Sequence, residues 1–336
     1  MDSITHLAVG ACIGEVFLGR QLGRRALLWG AIAQSAPDID WMASLWMSPA
    51  ANLLAHRGFT HSFLFAAIIT PLFALAADRW HRPHDVPFGR FMWFFAVSIF
   101  GHTLLDGLNS YGTGWFEPFS PARISMNVLF VADPFFTVGP VLATLVLLLV
   151  RRNQQVHLKW AWGGLICCSL YLGYCATNKV TIDRTVERLL SQQRIDHRRT
   201  FITPTALNNW LWFVIADDGR GFHIGYRSVF DTSDSLELRY FPRNDELLAD
   251  LRDHTDLHLL QRFSQGYHTA ELRHDTLIFN DLRFGQIMGW RDPHGAFTFH
   301  YYLQHPEDNR LVVQRGRFAG WDRDALASLI DRIRGR

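Results

Sequence analysis

Four long runs without a charged side chain, at residues 62–77, 91–105, 134–150 and 160–178, limit what this chain can fold into. Each is near the length that a tilted helix needs to cross hydrocarbon. The charged residues are unevenly placed: 20 of them fall in residues 1–178, about 11%, and 44 in residues 179–336, about 28%. The first part therefore reads as membrane-like and the second as an ordinary globular domain. The net charge of +2 gives no argument for a nucleic-acid partner.

Two shorter apolar segments, 7–19 and 26–36, precede the four runs, and the first contains Glu15. They read as spans packed inside a bundle or as half-inserted helices. The resulting expectation is a polytopic α-helical membrane bundle of about six spans over residues 1–178, followed by a smaller α+β soluble domain over residues 179–336. With six crossings, nine Arg and Lys residues fall on one side and only Arg57 and Arg123 on the other. By the positive-inside rule the poorer side, with both termini and the soluble domain, faces out of the cytoplasm. The acidic start MDSITH lacks the positive charge of a secretory leader. All four cysteines lie in apolar stretches without metal-ligand spacing and read as small buried hydrophobes.

The acids and imidazoles of the first part collect at span ends: Asp2, His6, Asp38, Asp40, His56, His61, His102 and Asp106. In the six-span arrangement they share the arginine-poor side. Asp2 with His6, and His102 with Asp106, are four residues apart, which puts each pair on one helix face. One such pair alone is usually a hydrogen-bonded structural pair. Eight ionisable groups brought to one membrane level point to a polar functional site, because such groups are costly there. Neutral imidazole and carboxylate suit zinc or manganese, and more than four ligands suggest two or three ions. Paired ions can activate water for phosphoryl displacement. Asp40 and Arg57 are the expected catalytic residues, Arg57 holding a phosphate oxygen or anchoring its loop to headgroups. Thr60 is a possible cap for the third span. Glu15 falls about 13 Å deeper than His6 and is expected to pair with Arg20 or Arg24. His81, His84 and His157 read as solvated loop residues, Gly10 and Gly14 as a helix-packing face. Residues 107–119 read as a re-entrant loop beside the site, with Asn109 and Thr113 as roof packing or substrate contacts.

MDSITH, PDID, HRGFTHS and GHTLLDGLNSYGT occur in this order over residues 1–180. Together they resemble the bacterial inner-membrane, LexA-regulated, metal-dependent hydrolase family, formerly a domain of unknown function. The order is also distantly similar to the zinc-dependent phospholipase C and single-strand nuclease superfamily. That likeness implies His6, Asp40, His56 or His61, His102 and Asp106 as ligands. In those enzymes a free N-terminal amine joins the cluster; here Asp2 substitutes, or a terminal ligand is absent.

In the second part, residues 180–195 read as an amphipathic helix. Residues 210–216 and 221–230 read as strands around the hairpin signal Asp217-Asp218-Gly219. Residues 246–263 are helical in pieces, 276–279 and 296–303 are strands, and 322–333 a closing helix. His268 and His274 read as surface or core residues. The leading expectation is a membrane-bound hydrolase of a phosphoester, a lipid-linked one included, whose partners are the phospholipid bilayer and that substrate. A metal or proton transporter or sensor using the same cluster, and a scaffold with a degenerate site, are the competing readings.

Overall fold

Asp2 starts the first helix, its carboxylate accepting the Thr5 amide at 3.0 Å and the Thr5 hydroxyl at 2.5 Å. This end capping satisfies amides that have no partner inside the helix. The computed structural model describes residues 1–81, 86–273, 275–303 and 321–335. It divides into two units, Met1–Ala43 with Ala55–Ala176, and Ser44–Leu54 with Thr177–Arg336.

In the first unit, α1 (Ser3–Leu22) and α2 (Arg25–Ser35) form an antiparallel pair turned at Gly23, whose φ of 64° suits glycine. Their backbones touch: a Cβ on Gly30 would lie 1.9 Å from the Gly10 carbonyl, and one on Gly14 2.1 Å from that of Ala26. The small residues expected to pack helices do so, α1 against α2. A 3-10 helix at Pro37–Leu45 follows, because Pro37 cannot continue the α-helical bonding. After α3 (Pro49–Ala55), which belongs up to Leu54 to the second unit, and a 3-10 turn at Phe59–His61 comes α4 (Phe63–Trp80). Ser62, rather than Thr60, caps α4 by accepting the Phe65 amide at 3.0 Å. Then come α5 (Phe88–Asp106), α6 (Pro134–Leu149), capped by Asp133, and α7 (Gln154–Gln192).

The expectation of about six spans is not met. Among the described residues only α4 and α5 are long and apolar enough to cross a membrane. The α2 helix has 11 residues and α6 has 16, about 16 and 24 Å long against roughly 30 Å of hydrocarbon. The α1 helix carries Glu15 and Arg20 and is buried over most of its length. The run at 160–178 is one part of the 39-residue α7, its apolar content diluted by Trp, Tyr and Gly. Three cysteines are buried, whereas Cys167 is exposed, and all four are free.

In the second unit, four antiparallel strands lie in the order β1 (Arg199–Pro204), β2 (Leu211–Asp217), β3 (Gly221–Ser228), β4 (Leu238–Pro242). The β2–β3 hairpin turns at the expected place, where Asp218 accepts the amides of Arg220 and Gly221 at 2.7 Å. Ile182, Val186 and Leu190 of α7 pack with Trp212 and Val214 of this sheet, so the expected amphipathic helix is the end of α7. A 3-10 helix at Asp245–Leu251 and α8 (Thr255–Phe263) precede a second antiparallel sheet, β5 (His268–Arg273), β6 (Thr276–Gln286) and β7 (Phe297–Tyr302), and α9 is Arg323–Ile333. The β6 strand runs past the expected Phe279 because its polar residues pair internally, Arg283 Nη2 donating to Asp281 Oδ2 at 2.6 Å with both side chains buried. His268 is buried against Asp245 at 3.2 Å; His274 lies outside the described residues.

Candidate metal centre

Four chain segments meet at one end of the first unit: the start of α1, the end of α2 with the 3-10 helix after it, the turn before α4, and the end of α5. They bring together Asp38, His61, His102 and Asp106, one donor atom of each lying within 4.8 Å of all the others. Nε2 of His61 lies 3.1 Å from Nε2 of His102. Asp38 Oδ1 is 3.5 Å from both nitrogens. Asp106 Oδ2 is 3.2 Å from the first and 3.6 Å from the second. Donors bound tetrahedrally to one ion at about 2.1 Å stand about 3.4 Å apart. Five of the separations among these four atoms thus suit a single four-coordinate ion.

Hydrogen bonding aims both imidazoles inward. Nδ1–H of His102 donates to the Gln34 carbonyl at 2.5 Å, which leaves Nε2 with its lone pair. Nδ1 of His61 faces the Asp40 carboxylate at 3.3 Å and Thr60 Oγ1 at 3.1 Å, so Nε2 is again the free atom. Carboxylates and carbonyls behind metal-binding histidines set their tautomer in this way. Burial pushes the His61 imidazole down to about 3, and a neutral ring is what ligation requires. The donor set therefore fits a divalent cation by spacing, tautomer and charge.

The other expected ligands surround this group. His6 stacks on His102 with ring centroids 3.8 Å apart, and its Nε2 is 3.2 Å from Asp106 Oδ1. The amine of Met1 also contacts Asp106 Oδ1. Asp2 caps α1 with both carboxylate oxygens. Asp40 accepts the Arg57 amide at 2.7 Å and faces His56 Nδ1 at 3.2 Å. It therefore stands behind the histidines.

Arg57 is 3% exposed, and its nitrogens are engaged within the protein. Nε lies 3.0 Å from Asp106 Oδ2, Nη1 donates to Asn109 Oδ1 at 2.8 Å and Nη2 to the Met1 carbonyl at 3.3 Å. Its guanidinium also covers the Tyr111 ring at 4.9 Å. Asn109 is thus part of the support, accepting the Tyr111 amide as well at 2.9 Å. Thr113 is buried and pairs its backbone with Ile124. The Gln34 carbonyl was missed from sequence because backbone groups leave no residue signature; the terminal amine, set aside there in favour of Asp2 or no terminal ligand, contacts Asp106, while Asp2 caps α1.

Three peripheral expectations need correction. Glu15 pairs with Arg152, at 3.6 Å, rather than with Arg20 or Arg24. His157 is fully buried, and His81 is buried where it accepts the Trp29 indole N–H at 2.7 Å. Helix packing, invisible in the local sequence, covers both rings; His84 lies outside the described residues.

Residues 1–182 match the YdjM inner membrane protein family. Inner membrane protein YbcI of Escherichia coli strain K12 is 35% identical over 122 residues, which are 36% of this chain and 69% of that protein. The uncharacterized protein YfhP of Bacillus subtilis strain 168 is 26% identical over an alignment of 349 residues, covering 96% of this chain and 95% of that protein. No solved structure matches the chain.

Proposed function

The chain belongs to the YdjM inner membrane protein family, and we propose that it is a membrane-bound hydrolase of phosphoesters, lipid-linked ones included, that works with one divalent cation, zinc or manganese. The observation that carries this reading is the near-tetrahedral spacing of the Asp38, His61, His102 and Asp106 donor atoms. These four residues would hold the ion. A bound divalent cation supplies Lewis acidity and brings the pKa of a water into the neutral range.

The protein's own groups then have distinct tasks. Asp40 holds Nδ1 of His61 and of His56. The His56 side chain is 36% exposed, unlike His6, His61 and His102, so its Nε2 is the atom at which a proton passes to or from substrate, with Asp40 as orienter. Arg57 offsets the carboxylate charge and fixes Asp106. Asp38, 30% exposed at its side chain, lies at the edge that substrate approaches.

The two candidate spans also support an orientation. Arg79 ends α4 and Arg90 begins α5, while His61 and Asp106 lie at the opposite ends. Positive flanks favour the cytoplasm, which turns the site outward. The test is metal content by mass spectrometry of the detergent-purified full chain, followed by a panel of phosphomonoesters and phosphodiesters. A bound ion with turnover that Asp38→Asn removes supports the reading. Absence of metal overturns it; ion flux across vesicles without hydrolysis replaces it with transport.

A further inference from the structure

Toward the other end of α1 a pocket of about 410 Å³ opens among α1, the start of α5 and the start of α7. Its inner part is rich in acceptors. Glu15, which lines it, is 3% exposed, and its Oε2 has no hydrogen bond, only the Arg152 guanidinium at 3.6 Å. The buried amide oxygen of Gln21, another lining residue, has no hydrogen bond either. His157 is fully buried with both ring nitrogens unbonded, close enough to Glu15 to act on its charge. Buried polar atoms without a hydrogen bond are rare in folded proteins, and these, with one guanidinium ion-paired to Glu15, keep acceptor capacity for a further donor. Gly19 makes the room, since a Cβ there would lie 2.4 Å from the Glu15 carboxylate.

The rim has the opposite character. Arg20 and Arg90 line it, stand exposed, and form no ion pair among the described residues. Arg90 lies in the first turn of α5, a candidate span, so the rim is at the depth of headgroup phosphates. Acceptors within and guanidinium donors outside match a ligand with an ammonium at one end and a phosphate next to it.

We propose that this pocket binds a phosphoethanolamine group, its ammonium against Glu15 and Gln21 and its phosphate against Arg20 and Arg90. The group could come from a phospholipid or from free phosphoethanolamine, and the chemistry of recognition is shared. The assignment is independent of the metal centre.

Native mass spectrometry of the full chain in detergent, with short-chain phosphatidylethanolamine, phosphatidylcholine and phosphatidylglycerol, tests it. The first should bind at least about tenfold more tightly than the other two, because choline carries no N–H and glycerol no charge for Glu15. Glu15→Gln should erase that preference, and Gly19→Ala, which crowds the carboxylate without changing charge, should do the same. Free phosphoethanolamine that displaces the lipid at equal concentration identifies a soluble ligand; failure to displace identifies the lipid. Equal binding of the three lipids by the unmodified protein, no binding at all, or a preference that survives in folded Glu15→Gln overturns the proposal. The comparison among lipids needs no variant and stands even if Glu15→Gln does not fold.

Discussion

Nε2 of His61 and Nε2 of His102 face one another at 3.1 Å, and the groups behind each ring favour its proton on Nδ1. The Gln34 carbonyl holds the proton on Nδ1 of His102, and the Asp40 carboxylate favours it on Nδ1 of His61. Two lone pairs at that separation repel unless positive charge lies between them. With Asp38 and Asp106 completing the group, the site is arranged to take up a cation.

Asp38→Asn and Asp106→Asn should both lower metal content, but with different effects on folding. The Asp38 side chain is 30% exposed, so its amide leaves no buried charge unmatched and the melting temperature should stay close to that of the parent. Asp106 is buried against Arg57 Nε at 3.0 Å, and breaking such a pair costs about 3–5 kcal/mol. Metal analysis combined with denaturant unfolding separates the two, and undiminished metal in Asp38→Asn would remove Asp38 from the ligand set.

Asp40→Asn should weaken metal binding about 10–100-fold without abolishing it. An amide oxygen can still accept the Arg57 backbone N–H, which Asp40 now does at 2.7 Å, but the charge behind His61 is lost. Competition titration against a chelator measures the change. An unchanged affinity would deny Asp40 the orienting role.

Gly30→Ala should destabilise the first unit by about 1–3 kcal/mol, because its Cβ would lie 1.9 Å from the Gly10 carbonyl. Gly101→Ala in α5 meets nothing within 4 Å and should be neutral or stabilising by roughly 0.5–1 kcal/mol, as expected for a helix interior. Thermal melts of both variants in the same detergent make the comparison. Equal melting temperatures would show that α1 and α2 can separate at no cost.

The proposed orientation predicts opposite labelling of two exposed positions. In a cysteine-free background, Phe119→Cys in the segment after α5 should react with a membrane-impermeant maleimide in spheroplasts. Trp80→Cys at the Arg79 end of α4 should react only after lysis. Both side chains are exposed, at 82% and 77%. The reverse pattern would place the site on the cytoplasmic face.

The residue types of the site were legible in the sequence because metal ligation admits few side chains and because their cost at membrane depth confines them to span ends. His61, His102 and Asp106 could be picked out by their places next to α4 and α5, the two helices that are long and apolar enough to span. The hairpin at Asp218 was equally legible, since its turn chemistry is local. The partition of the carboxylates was decided only in three dimensions. Asp2 caps its helix, Asp40 supports two histidines, and Asp38 and Asp106 complete the donor group. All four are the same residue type near helix ends, and only the packing of distant segments sets what each oxygen meets. The count of spans failed for the same reason. An apolar run reports the wish to leave water, and whether lipid or another helix receives it is settled by neighbours such as α2, which covers much of α1 through the contact of Gly10 with Gly30.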